Sequence, residues 1–366
     1  MQIKFGDLQR EYFEIQLEVD AAVGRVLHSG WFILGRELER FELAFAAYLG
    51  VKHCVGCASG TEAIALALMA AGIGPGDEVI TVAHTAVPTI SAISMTGAWP
   101  VFVDIRADTC LMDVALVEAA ITPRTAAILP VHLYGQCVDM DPLLDLARRH
   151  GIPVIEDCAQ AGGATYRGRK AGSMGLMAAF SFYPSKNLGC YGDGGAVTTD
   201  DSALAEKLRM LRNYGQRQRY YHEIVGINSR LDEMQAAILA AKLPHLDAWN
   251  RRRREIAAQY TAGLAGLPVQ TPVEAPGGEH VYHLYVIQAA GRDRLQAHLA
   301  ESGVQTLIHY PVPAHLQPAY AGLGHARGAL PVTERVADVI LSLPMYPQLT
   351  DAEVAAVVAA IRRFYA

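Results

Sequence analysis

Cysteine is sparse in this chain of 366 residues: there are six, all within apolar stretches. That excludes a disulfide framework and predicts reduced thiols. Cys54 and Cys57 form a C-x-x-C, but no second cysteine pair or histidine partner follows at metal spacing. The motif therefore reads as a buried strand, and no metal site is expected. No uncharged apolar run reaches ~18 residues, which excludes a membrane-spanning helix. The N-terminal stretch MQIKFGDLQREYFE mixes both charges and lacks the apolar centre of a secretory signal. Basic charge is not in excess either: 31 Lys+Arg stand against 37 Asp+Glu, a net charge of −6. This excludes a broad nucleic-acid-binding surface but leaves room for a local anion pocket. With 51% apolar and 19% charged residues the chain has material for a large core and is not disordered. A soluble, cytoplasmic protein with no nucleic-acid or membrane partner is expected.

At about 150 residues per domain, this length predicts two domains. A helix, a turn and a second helix occupy 15–48. Strands are predicted at 54–58, 78–84, 100–105, 126–133, 152–157, 177–183 and 194–200, and helices at 61–72, 87–97, 112–121, 141–151 and 201–215. Near-uniform apolar strands alternating with helices indicate a mostly parallel sheet covered on both faces. The rhythm stops near 240. A long polar-faced helix at 244–267 leads to a strand pair at 280–288, a further helix and a C-terminal helix at 351–365. The expected organisation is a large α/β domain, 1–245, with a helical N-terminal segment, and a smaller α+β domain, 246–366.

In open α/β sheets, ligands gather beyond the carboxyl ends of the strands. Three segments place polar residues there. Ser59-Gly60-Thr61-Glu62 lies between a strand and a helix. Ser59 can cap the helix, with Glu62 three residues later as in a capping box. Free N–H groups and the helix dipole at this turn favour a phosphate; a capped helix without a ligand is the other reading. Asp157 ends the strand IPVIED, either as a turn acid or as a carboxylate held near a cation, and Gln160 follows. Its neighbour Glu156 reads as the start of a turn or a helix cap. The third segment runs from Ser181 through Tyr183 to Lys186 and Asn187, in a loop rich in Gly and Pro. A lysine in such a turn is ordinary on a surface, but a desolvated one loses its proton readily and attacks carbonyls. Together the three segments fit one cofactor, pyridoxal 5′-phosphate: a phosphate at Ser59-Gly60-Thr61 and Ser181, a pyridinium nitrogen at Asp157, and a Schiff base at Lys186.

The stretches SGWFILG (29–35), GCASGTEAIALAL (56–68), GPGDEVITV (74–82), PVHLYGQ (130–136), IEDCAQAGGA (155–164), FSFYPSKNLG (180–189), GDGGAV (192–197) and GINSRLDEMQAA (226–237) follow in this order. In them the chain resembles the nucleotide-sugar aminotransferases of the DegT/DnrJ/EryC1/StrS family, within the fold type I (aspartate aminotransferase-like) class. The resemblance implies that Lys186 is the Schiff-base lysine and that Asp157 pairs with the pyridine nitrogen. It places Gln160 near the cofactor's 3′-oxygen, and Gly60, Thr61 and Ser181 at its phosphate. Asn228 would reach the phosphate from the other subunit, which implies a homodimer with shared active sites. Many relatives carry a ring-stacking aromatic where this chain has Ala86, so His84 is the candidate to stack instead. L-glutamate would be the amino donor, with the pyridoxamine form of the cofactor carrying the nitrogen in ping-pong transfer.

The nucleotide-linked keto-sugar needs further groups. Tyr183, His309 and Tyr310 are candidates, the latter two from HYPVPAHLQPAY (309–320), which resembles the family's segment near the sugar. Arg217, Arg219 and Arg230 could pair with its phosphates, or be surface charges. Ser229, where many 4-keto enzymes have Tyr, resembles the subgroup that aminates 3-keto sugars. A dTDP-3-keto-6-deoxyhexose is the expected substrate, then a UDP-linked 3-keto sugar, then a 4-keto sugar. Family members that remove a hydroxyl replace the lysine with histidine, so Lys186 argues against a dehydratase. A non-catalytic regulator on the same fold is the remaining rival.

Overall fold

Strands that are apolar on both sides need cover on both faces. A computed structural model describes residues 2–366. Strands β1 (His53–Cys57), β2 (Glu78–Val82), β3 (Trp99–Val103), β4 (Thr125–Ile128), β5 (Ile155–Asp157), β6 (Met177–Ser181) and β7 (Gly195–Thr199) line up as β3-β2-β4-β5-β6-β7-β1. β4 and β5 are joined by single parallel bridges, Ile128 to Val154 and Val131 to Asp157. β7 alone runs against its neighbours, so the sheet is mixed and mostly parallel, as expected.

Helices α1 (Leu8–Glu14) and α2 (Gln16–Ser29) precede the sheet. One face of it packs α3 (Arg36–Leu49), and the opposite face packs α4 (Gly60–Ala70) and α5 (Val87–Met95). Helices α6 (Met140–His150) and α8 (Glu233–Lys242) join the first face, and α7 (Ser202–Leu211) the second. The strands alternate accordingly: Cys54, Ile80 and Ile128 enter one core, and Val55, Val79 and Ala127 the other. Cys54 and Cys57 therefore lie on opposite faces of β1, both buried.

The C-terminal part is built on an antiparallel sheet of β8 (Val269–Gln270), β9 (Tyr285–Ala289) and β10 (Ile340–Leu343). Helices α9 (Leu246–Leu264), α10 (Arg292–Glu301) and α12 (Asp351–Tyr365) share its core, and α11 (Pro331–Val339) precedes β10. α9 links the two parts: Trp249 packs with Ile15 and Ile238, whereas Ile256 and Tyr260 lie in the second core. Ile3 also enters this second core, where it bridges to Val304. No helix among the described residues is long and apolar enough to cross a membrane.

Several expected elements differ. The helix at 112–121 is instead two short 3₁₀ turns, Val114–Leu116 and Glu118–Ala120. Of that stretch only Met112 and Val117 are buried, so no continuous helical face meets a core, and Pro123 disfavours helix at the residue before it. The strand at 126–133 stops at Ile128, because Pro130 has no N–H to extend the ladder. The strand pair at 280–288 is a single strand from Tyr285. Its first half clasps the large domain instead: Val281 N–H donates to Gly135 O and Leu284 N–H to Tyr134 O. The capping box at α4 is half formed. Ser59 accepts from Glu62 N–H at 3.2 Å, but the Glu62 carboxylate accepts from Ser229 Oγ.

Candidate active site

The carboxyl ends of β2, β5 and β6 and the N-terminus of α4 enclose a cavity of about 340 Å³. Gly60, Thr61, Asp157, Gln160, Ser181, Tyr183 and Lys186 all line it. Seven of the predicted site residues, far apart in sequence, thus meet at the strand ends.

Asp157 is buried at the end of β5. Its carboxylate accepts from Thr89 Oγ1 at 2.8 Å and from Ala159 N–H at 3.1 Å. Burial pushes its pKa up, against the pull of these donors and of Lys186. Lys186 follows β6 in a tight turn, its N–H donating to Tyr183 O at 2.8 Å. What surface it exposes faces the cavity, and desolvation there brings its pKa down to about 8, opposed by Asp157. An amine so placed is neutral in a useful fraction near pH 8, as a carbonyl nucleophile must be.

The turn before α4 is shaped for an anion. Ser59 closes the helix by accepting from Glu62 N–H and, through its carbonyl, from Ala63 N–H. The N–H groups of Gly60 and Thr61 are left for a ligand. A Cβ on Gly60 would lie 2.5 Å from Ser181 Cβ, so only glycine brings this turn against Ser181. The donor set, a buried carboxylate and a low-pKa lysine lining one cavity fit pyridoxal phosphate.

Gln160 takes a fixed orientation. Its Oε1 accepts from Tyr134 N–H at 2.8 Å, which leaves Nε2 to donate to Tyr310 Oη at 2.9 Å. His309 stands beside it, its Nδ1 2.8 Å from Ser342 Oγ. Burial near Lys186 lowers the His309 pKa to about 4, and burial raises that of Tyr310 to about 12. Tyr183 is exposed at the cavity rim.

Other predicted residues are not brought to this cavity. His84 is buried behind it, with Nε2 2.8 Å from Tyr134 Oη, and does not form its wall. Thr85 and Ala86 occupy the wall where a stacking ring was expected. Asn228 is exposed, its backbone bridged to Asn213. Arg217 is exposed on the ribbon Gln216–Gln218/Tyr221–His222 and ion-paired with Glu206 and Glu223. Arg219 lies over the Tyr220 ring at 5.1 Å, and Arg230 over Tyr214 at 5.6 Å with Nη1 on Asn213 Oδ1.

Two supporting residues escaped sequence reasoning. Thr89, which holds Asp157, was visible only as a polar residue in an apolar helix. Glu156 is neither a turn nor a cap: fully buried, it accepts from His132 Nε2 and from the N–H groups of Gly172, Met174 and Gly175. Burial pushes its pKa up, but these donors outweigh it and hold the carboxylate below its usual range. Cys158 lies close enough to His132 and Glu156 to suggest metal ligation. However, His132 Nδ1 accepts from Val138 N–H, so Nε2 carries the hydrogen that Glu156 accepts. The group is satisfied internally.

Sheet order, strand-end cavity and lysine define a fold type I pyridoxal-phosphate enzyme. The chain belongs to the DegT/DnrJ/EryC1/StrS aminotransferase family, whose profile matches residues 14–362. It is 55% identical over 363 residues to a dTDP-3-amino-3,4,6-trideoxy-alpha-D-glucose transaminase of Streptomyces venezuelae, covering 99% of this chain and 96% of that one. The crystal structure of S. venezuelae DesV in complex with a ketimine intermediate superposes with a TM-score of 0.98 at 55% identity, covering 100% of this chain and 98% of the other. Bacillus subtilis NtdA with bound cofactor PMP gives a TM-score of 0.91 at 34% identity, covering 99% and 85%. Pyridoxal phosphate is the cofactor of this enzyme.

Proposed function

We propose that this chain transfers the amino group of L-glutamate to C-3 of a dTDP-linked 3-keto-6-deoxyhexose. The observation that carries the chemistry is the meeting of Lys186 and Asp157 in one cavity beside an anion-binding turn. The 3-amino sugar in the name of the Streptomyces relative supports the position and the nucleotide. When bound, pyridoxal phosphate supplies an electrophilic carbon for amines and a ring that takes up the electron pair left when a proton departs.

The residues divide the work. Gly60 and Thr61 N–H and Ser181 Oγ hold the phosphate. Asp157, ionised once a cation stands beside it, keeps the proton on the pyridine nitrogen, and Thr89 fixes its carboxylate. Gln160 Nε2, aimed by Tyr134 N–H, donates to the 3′-oxygen. Lys186 Nζ removes the proton from the α-carbon of glutamate and later delivers one to C-3 of the sugar. Tyr183 at the rim meets the sugar, together with Tyr310, hydrogen-bonded to the cavity-lining Gln160, and its neighbour His309.

Asn228 serves the cofactor phosphate in the cavity of a second subunit, and Arg217, Arg219 and Arg230 remain candidates for the sugar's phosphates. Exposed Trp31, Phe32 and Ile33 adjoin this segment, with Glu233 N–H donating to Phe32 O and Ile33 bridged to Asp232. An exposed apolar patch beside these polar groups supports a homodimer with shared sites. The division at 245/246 into a cofactor domain and a smaller domain belongs to the same reading, with α9 as the link. Six free buried cysteines support a cytoplasmic location.

The test is a panel of dTDP- and UDP-linked 3-keto and 4-keto sugars with L-glutamate, with products read by NMR. Amination at C-3 of a dTDP sugar is expected; turnover of 4-keto sugars alone would overturn the substrate assignment.

A further inference from the structure

We propose that Tyr134 is a positioning residue for the keto-sugar half of the reaction: its hydroxyl, held from behind by His84, fixes the His309–Tyr310 segment against the large-domain cavity. The proposal rests on the sugar-aminotransferase reading above.

The hydrogens can be assigned one by one. A carbonyl only accepts, so Tyr134 O–H gives its single proton to His309 O. The Tyr134 oxygen can then only accept from His84, so Nε2 of His84 carries the hydrogen in their 2.8 Å contact. His84 is buried and, with its pKa lowered to about 4, neutral; its Nδ1 is then a bare acceptor, and that atom is buried without a partner. At the other end, Tyr134 N–H turns the Gln160 amide so that Nε2 reaches Tyr310 Oη. Tyr310 thereby accepts from Gln160 and keeps its own proton for a further acceptor.

The bonds close a ring through Tyr134, Gln160, Tyr310 and His309. It joins the turn after β4 to the segment after α10. Tyr134 sits at φ +60°, a conformation that a non-glycine residue holds only where its surroundings fix it. Its surroundings do so: the C-terminal part donates Leu284 N–H to Tyr134 O and Val281 N–H to Gly135 O. The hydroxyl is thus presented from a turn pinned on both sides. Of the residues proposed to meet the sugar, His309 and Tyr310 are held by this ring, whereas Lys186 and Asp157 make no hydrogen bond to it. Loss of the hydroxyl should therefore act on the sugar and not on glutamate.

The test is Tyr134→Phe, which removes one oxygen and keeps the ring. KM for the keto-sugar should rise roughly tenfold, while the glutamate half-reaction stays within about twofold. Affinity for a dTDP-sugar, measured by calorimetry without turnover, should fall by the same factor. His84→Gln, which retains an N–H donor, should hold KM near the wild-type value, and His84→Leu should behave as Tyr134→Phe. An unchanged KM and unchanged dTDP-sugar affinity in Tyr134→Phe, or an equal loss in both half-reactions, overturns the proposal. A wild-type protein that aminates no 3-keto sugar overturns the underlying reading instead, and calorimetry with the dTDP-sugar then still decides the role of Tyr134.

Discussion

Asp157, at the end of one strand, and Lys186, in the turn after its neighbour, line the same cavity, and burial works on them in opposite senses. It lifts the carboxyl of Asp157 and lowers the amine of Lys186, while each partly offsets the shift in the other. A cavity that disfavours both charges favours a neutral nucleophile, and makes the carboxylate most stable when a cation arrives.

The first expectation concerns pH. Lys186 is a base whose pKa in the folded protein is lowered to about 8, so it is protonated below that value and neutral above it. Covalent capture of the cofactor by the apoprotein should speed up about tenfold per pH unit below about 8 and level off above it. Stopped-flow growth of absorbance between pH 6 and 11 measures this, and a profile that keeps climbing up to pH 10 would refute it.

Removing the charge of Asp157 should affect chemistry more than folding. Asp157→Asn is expected to lower kcat by ~10²–10³ at little cost in thermal stability. Thr89→Val, which removes one hydrogen bond to that carboxylate, should lower kcat by about tenfold or less. Steady-state kinetics beside a melting curve separate the two effects.

The phosphate turn should tolerate no side chain. In Gly60→Ala the new Cβ would stand 2.5 Å from Ser181 Cβ, so cofactor affinity should fall at least about tenfold. Gly60→Ala/Ser181→Gly should recover part of it. Titration with pyridoxal phosphate reads both; equal affinities in all three proteins would contradict the cradle.

Much of this site was legible in the sequence, for a definite reason. Strand ends are where a parallel sheet collects ligands, and Asp157, Ser181 and Ser59-Gly60-Thr61 stand at strand ends, with Lys186 in the turn that follows one. What escaped is partnership across long sequence distance. Nothing in the local pattern shows that Glu62 turns to Ser229, that Thr89 serves Asp157, or that HVYH bends to clasp Gly135 and not to pair as a strand. The helix expected at 112–121 is absent for a similar reason, since an apolar count cannot show that only Met112 and Val117 are buried there. His84 is the motif's candidate for the cofactor ring, but its hydrogen bond goes to Tyr134.

Glu156 should prove a structural anchor. It takes three backbone N–H groups and His132 in full burial, so Glu156→Gln should destabilise the protein by about 2–4 kcal/mol. Denaturant titration checks this; a loss of activity at unchanged stability would assign it a different role.

The central claim is that Lys186 holds pyridoxal phosphate and that glutamate converts it. The most direct measurement is the absorbance spectrum of the purified protein with and without L-glutamate, for the wild type and Lys186→Ala. A wild-type band near ~410–430 nm that moves to ~330 nm with glutamate is predicted, with no such conversion in Lys186→Ala. A wild-type protein that stays colourless after pyridoxal phosphate is added, or a Lys186→Ala variant converted by glutamate at the wild-type rate, would contradict it.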